Sequence, residues 1–590
     1  MMNRRKGETP AIRHDFAIKL RALAIASIAG CLAACGGGGN SAAPPPPVNS
    51  APVVVSGTAA IGSAIAMQSV SARCAAGTGT ATTDASGNFS ITVANGQLPC
   101  VLEVGVGSDL LHSFALGSGS AATSNLSPLT QLLVAQTALQ DPASYFSAFD
   151  ATTAASLTTA RVQAAQDVVQ ETLAAAGVNV GTFDWLTAVL IADSGGSGGN
   201  AYAQALDALA AALTAAGTTL ATFTTVVVEQ GVAVIAPNVQ ASLPAAMLLK
   251  PAAATCSVLR SGRYRVFTPT PGGALSAQFG IATIDASALS VARPDGSDGT
   301  WTPISACRFA DSGGGWTGEI VVSQAGVWTG RYSLDGGATY KMLLAIPEQA
   351  HVVSELAGAW QQLGMDQAGA AFTPFAGSTT FDSSGAFAAG TQCSNDSTWA
   401  IDTCVTLTAP VLALLAPLQA NADGGFDLAD AATHTTGGRL FAYRSGGGYL
   451  MMVNVDTDGG FAIWTPQLAI ALPDIGTVAY NFNFNIAGDL SVPTTEETTN
   501  TVTAVNAAVG SWTRVQQTIG AAFNYVTTLF ANNPRDGFYF RPAGTVLASD
   551  GVTTVRLNEF TVMRVFGAGF APDVIPAARV VQLSTGVPAP

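Results

Sequence analysis

The chain has 590 residues, 48% hydrophobic and 11% charged, and its wealth of glycine and small residues argues for two to four turn-rich, packed domains rather than disorder. Its formal net charge of −14 understates the acidity, because residues 1 to 35 carry six of the 24 basic and two of the 38 acidic side chains, leaving 18 against 36, a net −18. Such a surface repels a polyanion and no basic run with interleaved aromatics offsets it, so nucleic acid is not an expected partner.

The chain opens on a basic stretch ending at Arg21, followed by thirteen mostly small or apolar residues, Ala22 to Ala34. A membrane-crossing helix needs about 20 apolar residues. The segment therefore reads as a signal peptide. It closes on Leu32-Ala33-Ala34-Cys35, which resembles the lipobox of bacterial lipoproteins. That resemblance implies that residues 1–34 are removed and that Cys35 carries a palmitate-type lipid as the mature N-terminus. With Gly36 rather than aspartate next, it also implies delivery to the outer membrane of a Gram-negative bacterium. An ordinary secretory signal cleaved elsewhere is the alternative. Residues 35–50 then form a tether, flexible through Gly36 to Gly39 and stiffer through Pro44 to Pro47.

Residues 51–118 alternate like short strands, with a turn at Asp84 to Gly87 before Phe89, Ile91 and Val93. Thr83, Asp84, Gly87 and Phe89 match the T-D-x-x-G-x-F/Y pattern of small β-sandwich modules related to carboxypeptidase regulatory domains, which this segment resembles. The resemblance implies a structural module and no catalytic residue.

From 119 to 250 the period changes. Ser127 and Pro128 start a helix with Leu129, Leu132 and Leu133 on its apolar face. Two further patterns run through Val162, Val169 and Leu173 to Gly177, and through Leu206, Leu209 and Leu213 to Gly217. Together they predict a helical bundle.

Residues 251–590 return to period two, with turn signals at 294–299, 334–337, 382–385, 422–425, 445–448 and 456–460. Antiparallel hairpins closing into a barrel or folding into a sandwich are expected. The region forms one large β-domain or two, split near 355. Residues 499–530 fit either a helix or two broad strands. The fold class is thus mainly β with an α-helical middle: sandwich, helical bundle, then a large antiparallel domain.

Setting aside Cys31 and Cys35 leaves six cysteines in three neighbouring couples. The predicted disulfides are Cys74 with Cys100, Cys256 with Cys307, and Cys393 with Cys404, as suits an oxidising compartment. No zinc, haem or thioredoxin spacing occurs.

Catalytic signals are sparse. Ser197 sits in a formal G-x-S-x-G at 195–199, but in a glycine-rich loop between helices, where a connector is favoured over a nucleophile elbow. The histidines beyond the signal, His112, His351 and His434, are scattered over three regions and read as surface or satisfied polar residues before catalytic bases. Asn454, Asp456, Asp458 and Gly459 form the first half of a calcium loop, but Thr465 stands where a bidentate acid belongs. A hairpin turn is favoured there, with a weak cation site as the lesser reading. Trp301, Trp316, Trp328, Trp360, Trp464, Trp512 and Tyr449 read as core before ligand groove. No phosphate or dinucleotide fingerprint is present, and no cofactor or catalytic set is implied.

The expected function is binding or scaffolding by a lipid-anchored envelope protein. Its partners are the membrane, through Cys35, and an unidentified protein, polysaccharide or apolar ligand. Outward-facing and periplasm-facing placements both stay open. The alternatives are a surface-tethered hydrolase of a polymer or ester, and a carrier holding an apolar ligand in a closed barrel.

Overall fold

The computed structural model describes residues 51–107, 109–193, 199–235, 242–368, 371–393, 405–520, 524–532, 535–541, 552–556, 561–566 and 581–587. Residues 1–50, with Cys35 among them, and Ser197 and Cys404 lie outside them. The chain divides into two compact units, the second comprising Ala252–Pro590 with a short preceding segment.

The first unit begins as a sandwich. Val53–Thr58 pairs antiparallel with Asn88–Val93 and parallel with Ala121–Thr123. The facing sheet runs Thr78–Thr82, Ser69–Ala76, Gln97–Val106, Asp109–Ala115. Alternation decides which side of each strand is buried: in Asn88–Val93 every second residue is inside, and Phe89, Ile91 and Val93 join Val55, Val70 and Leu102 in the core. Asp84 Oδ1 accepts the N–H groups of Ser86 (2.8 Å) and Asn88 (2.9 Å), which shapes the turn. Gly87, at φ +81°, closes that turn because a Cβ there would collide with Ala59 O.

The helical part follows its sequence signals closely. Pro128–Ala138 starts from a capping box between Ser127 and Thr130. Thr159–Ala175 is capped by Thr158 and Ala201–Ala215 by Asn200. Each such cap contributes about 1 kcal/mol by satisfying an orphan N–H. Their apolar faces, with Leu132, Val169, Leu173 and Leu206, form one core that Phe223 of the helix Leu220–Ile235 joins. Among the described residues no single helix is long and apolar enough to cross a membrane.

The second unit opens on a two-stranded ribbon, Ala252–Ala253 with Cys256–Arg260, followed by three larger β bodies. The first is a closed barrel of eight consecutive strands over residues 262–347, in which Lys341–Pro347 pairs back onto Gly262–Phe267. The second is a nine-stranded antiparallel sheet made of two meanders joined where Gly358–Ala368 pairs with Phe461–Pro466. The third is another eight-stranded closed barrel, sealed by Val478–Ile486 against Val581–Val587. The described part of 499–530 lies mainly in three strands of this barrel, Thr494–Asn506, Ser511–Thr518 and Asn524–Ala531, so the helix alternative is not realised there.

One apolar cluster joins the three bodies. Phe267 and Leu344 come from the first barrel, Leu363 and Val453 from the sheet, Phe482 and Phe484 from the second barrel. Polar bonds reinforce it: Arg308 links Glu319 (2.6 Å) on the first barrel to Glu497 on the second, and Val492 N donates to Tyr340 O at 2.7 Å. In both barrels this shared core is made by outward-facing residues. Alternation therefore assigns the remaining residues of those strands to the lumens.

Candidate functional site

The first barrel's lumen is filled. Tyr264 lies 4.1 Å from Trp328, Trp328 packs edge-on to Trp301 at 4.8 Å, and Trp301 meets Phe309 at 5.5 Å between ring centroids. Arg293 and Asp311, both buried, pair at 2.6 Å. Burial pushes the Asp311 carboxyl up and the Arg293 charge opposes it. Arg293 also lies under the ring of Trp316, which stacks on Tyr332. Such a lumen is a packed core.

The second barrel inverts that pattern. In Val478–Ile486, sequence VAYNFNFNI, the phenylalanines face outward into the shared core, so Asn483 and Asn485 face the lumen. Cross-strand register places Glu496 and Ser584 opposite Asn483, Gln582 opposite Asn485, and Gln516 opposite Asn500, on that same face. Several of these groups satisfy one another. Asn483 Nδ2 donates to Thr498 Oγ1 (3.1 Å), and Gln582 Nε2 donates to Asn485 Oδ1 (2.8 Å) and Glu496 Oε1 (2.9 Å). Arg514 donates to Thr527 Oγ1 (3.3 Å) and Gln516 Oε1 (3.1 Å).

Among the described residues, Asn483 Oδ1, both Asn500 Oδ1 and Nδ2, and Ser584 Oγ in this lumen have no partner. All three residues are at most 5% exposed. Each such atom costs about 1–3 kcal/mol unless something fills its bond. Toward one end Val502, Trp512, Leu529 and Tyr539 form an apolar cluster, with Trp512 edge-on to Tyr539 at 4.9 Å. The lumen therefore presents donors and acceptors above an aromatic floor.

The nine-stranded sheet has a separate hollow. One face joins the shared core; the other carries its own cluster with Trp360, Phe381, Phe426 and Trp464. Along that face the apolar cluster gives way to a cavity of about 30 Å³ lined by Gln362, Asp366, Phe375, Asn454, Asp456 and Trp464, among others. Asn454 Nδ2 donates to Asp456 Oδ1 at 2.9 Å. Burial pushes the Asp456 carboxyl up to about 8; the Asn454 bond lowers it, and the charges of Asp458 and Asp366 raise it further. Glycine makes this packing possible, because a Cβ at Gly438 would collide with Asp456 Oδ1.

The residues singled out in the sequence fall as follows. Cys74 is bonded to Cys100 and Cys256 to Cys307. Cys393 ends the strand Phe387–Cys393, and its pairing with Cys404 lies outside the described residues. His112 is buried, with Nδ1 at 2.9 Å from Gln131 Oε1 and Nε2 at 3.1 Å from Glu103 Oε2. His351 lies between Glu355 (2.8 Å) and Gln349 (3.0 Å). His434 is exposed on a turn held by its N–H bond to Asp430 O. None of these contacts brings a histidine ring to a serine.

Asp456 and Asp458 flank the turn between Leu450–Asp456 and Phe461–Pro466, where Asp458 Oδ1 accepts the Gly460 N–H at 3.0 Å. Among the described residues no group of three histidine, cysteine or acidic side chains could hold a metal ion. Of the aromatics, Trp301, Trp328, Trp360, Trp464, Trp512 and Tyr449 are buried. The polar lumen is not legible in the sequence. Its signal is the NFNFN alternation, which marks an amphipathic strand without saying which face turns inward.

No family model matches the chain, and no curated protein matches it. Three solved structures show a remote likeness. A protein of unknown function of the DUF3598 family from Nostoc punctiforme PCC 73102 is 11% identical, with 40% of this chain and 99% of that one covered and a TM-score of 0.15. Isotype 1 transferrin binding protein B from serogroup B Neisseria meningitidis is 9% identical, covering 53% and 66%, with a TM-score of 0.17. A mutant transferrin binding protein B from Haemophilus parasuis Hp5 is 7% identical, covering 56% and 76%, also with a TM-score of 0.17. At these scores the likenesses carry no argument about function.

Proposed function

We propose that this is a lipid-anchored binding protein of the bacterial envelope whose second barrel encloses a small ligand rich in hydroxyl or amide groups. The observation that carries the reading is the set of unpartnered atoms on Asn483, Asn500 and Ser584 inside the second barrel. A ligand that donates and accepts hydrogen bonds removes their desolvation cost. Two charged groups of the lumen are already engaged, Glu496 by Gln582 and Arg514 by Thr527 and Gln516, which leaves the unpartnered amide and hydroxyl atoms to select a ligand with hydroxyl or amide groups. The aromatic pair Trp512 and Tyr539 suits the apolar face of a sugar ring. The anchor rests on the lipobox-like Leu32-Ala33-Ala34-Cys35.

Calorimetric titration of the full chain carrying Cys35→Ser with N-acetylglucosamine tests the lumen. Saturable binding that is lost in Asn500→Leu is expected. Saturable binding of palmitate with none of the sugar would replace this reading by the apolar carrier. In cells, Cys35→Ser should release the protein from membranes, and persistent membrane binding would remove the anchor.

A further inference from the structure

The unpartnered atoms of the second barrel differ in what they ask of a ligand. Asn500 leaves both Oδ1 and Nδ2 open at 5% exposure. A side-chain amide shows its acceptor and its donor side by side on one edge, so a partner that fills both must present a donor and an acceptor equally close together. Two neighbouring hydroxyls of a ring do so, and so does a cis amide such as a lactam. A secondary amide in its ordinary trans form does not, because its N–H and C=O point opposite ways.

The layer at Asn483 decides between the two. Asn483 stands opposite Glu496 on one side and Ser584 on the other, and Asn500 lies four residues beyond Glu496, about 13 Å along the strand. Asn483 Nδ2 is committed to Thr498 Oγ1 at 3.1 Å, which leaves its Oδ1 as an acceptor in need of a donor. Ser584 Oγ, open across the strand pair from it, can donate or accept. A single hydroxyl between them donates to Asn483 Oδ1 and accepts from Ser584 through the same oxygen. Together the two layers require at least two donors, for Asn483 Oδ1 and Asn500 Oδ1, and one acceptor, for Asn500 Nδ2. A lactam has one N–H and is exhausted at the first layer it meets. A ring hydroxylated on most of its carbons carries a donor and an acceptor at each of them.

Resting on the reading of this barrel as a ligand container, we infer that its ligand is a polyhydroxylated ring of the sugar type, held by two neighbouring hydroxyls at Asn500 and by a further hydroxyl between Asn483 and Ser584, and that amide groups are not what the lumen selects. A closed eight-stranded barrel has room for one small ligand of this kind. An acetamido substituent on the ring, being a trans secondary amide, cannot fill both atoms of Asn500.

The test is calorimetric titration of the full Cys35→Ser chain with the methyl glycosides of glucose, galactose and mannose and, separately, with 2-pyrrolidone. Saturable binding of at least one glycoside is expected, with 2-pyrrolidone inert. Monodeoxy analogues of that glycoside should bind about tenfold more weakly at two adjacent ring positions, since each leaves one buried atom of Asn500 unfilled. Asn500→Leu should lose the glycoside. Ser584→Ala, a smaller change, should weaken it several-fold and leave the effect of the adjacent pair in place. Binding of 2-pyrrolidone that depends on Asn500, with all three glycosides inert, would overturn the inference while keeping the container reading with an amide ligand. Glycoside binding indifferent to both substitutions in folded variants would overturn it as well. If neither class of compound binds, the container reading itself falls, and the inference with it.

Discussion

The two barrels of the second unit share a topology, eight consecutive antiparallel strands closed on themselves, and use opposite lumens. The first packs Tyr264, Trp301, Phe309 and Trp328 inside and seals a buried ion pair among them. The second turns Phe482 and Phe484 out and Asn483 and Asn485 in. The difference follows from position, because each barrel also contributes outward residues to the core they share with the sheet. In the first barrel that leaves aromatic residues for the interior. In the second the aromatics of the NFNFN strand are spent outside and amides remain within. A closed eight-stranded barrel can thus carry an aromatic or a polar lumen, according to which residues its strands turn inward.

The largest expected effect breaks the first lumen. Trp328→Ala removes the ring at its centre and should destabilise the protein by about 3–5 kcal/mol, read by denaturant unfolding. Arg293→Met leaves Asp311 buried without its partner and should cost about 3 kcal/mol. Adding Asp311→Leu should restore most of that loss, because replacing both members removes the stranded charge. If the double variant is no better than the single one, the pair is held by contacts other than each other.

The sheet hollow lies between the two extremes. Asp456 has a folded pKa near 8 against about 3.9 unfolded, so its proton stays on in the folded state while the unfolded chain has lost it. Its contribution is full below the unfolded value and is lost as pH rises through 8. The slope is at most about 1.4 kcal/mol per pH unit. Asp456→Asn should flatten the decline in stability between pH 4 and 8 and be the more stable form at pH 8. An unchanged pH profile would mean that Asp456 ionises normally.

Much of the scaffold was legible because local rules and tertiary structure agree. Ser127 and Asn200 cap the helices their spacing announces, Gly177 and Gly217 follow the helix ends at positive φ, and Asp84 makes the turn its neighbours imply. Residues 499–530 were ambiguous because β-branched residues alternate with small ones at both periods, and pairing with distant strands decided them. Asn454 and Asp456 have the spacing of half a calcium loop, whereas the structure places them with Gln362 and Asp366, some ninety residues earlier, through the register of Gly358–Ala368 on Phe461–Pro466. The polar lumen was illegible for a related reason. An alternating strand names two faces, and only the closure of the barrel says which is inside.

The most direct test of the contrast between the barrels is the unfolding free energy of Asn500→Leu in the ligand-free protein. If both atoms of that amide are buried without partners, an apolar side chain of similar size removes their cost, and the variant should be more stable by about 1 kcal/mol or more. A loss of stability of that size would show that Asn500 is satisfied in the folded protein, and the second lumen would then be a packed core like the first.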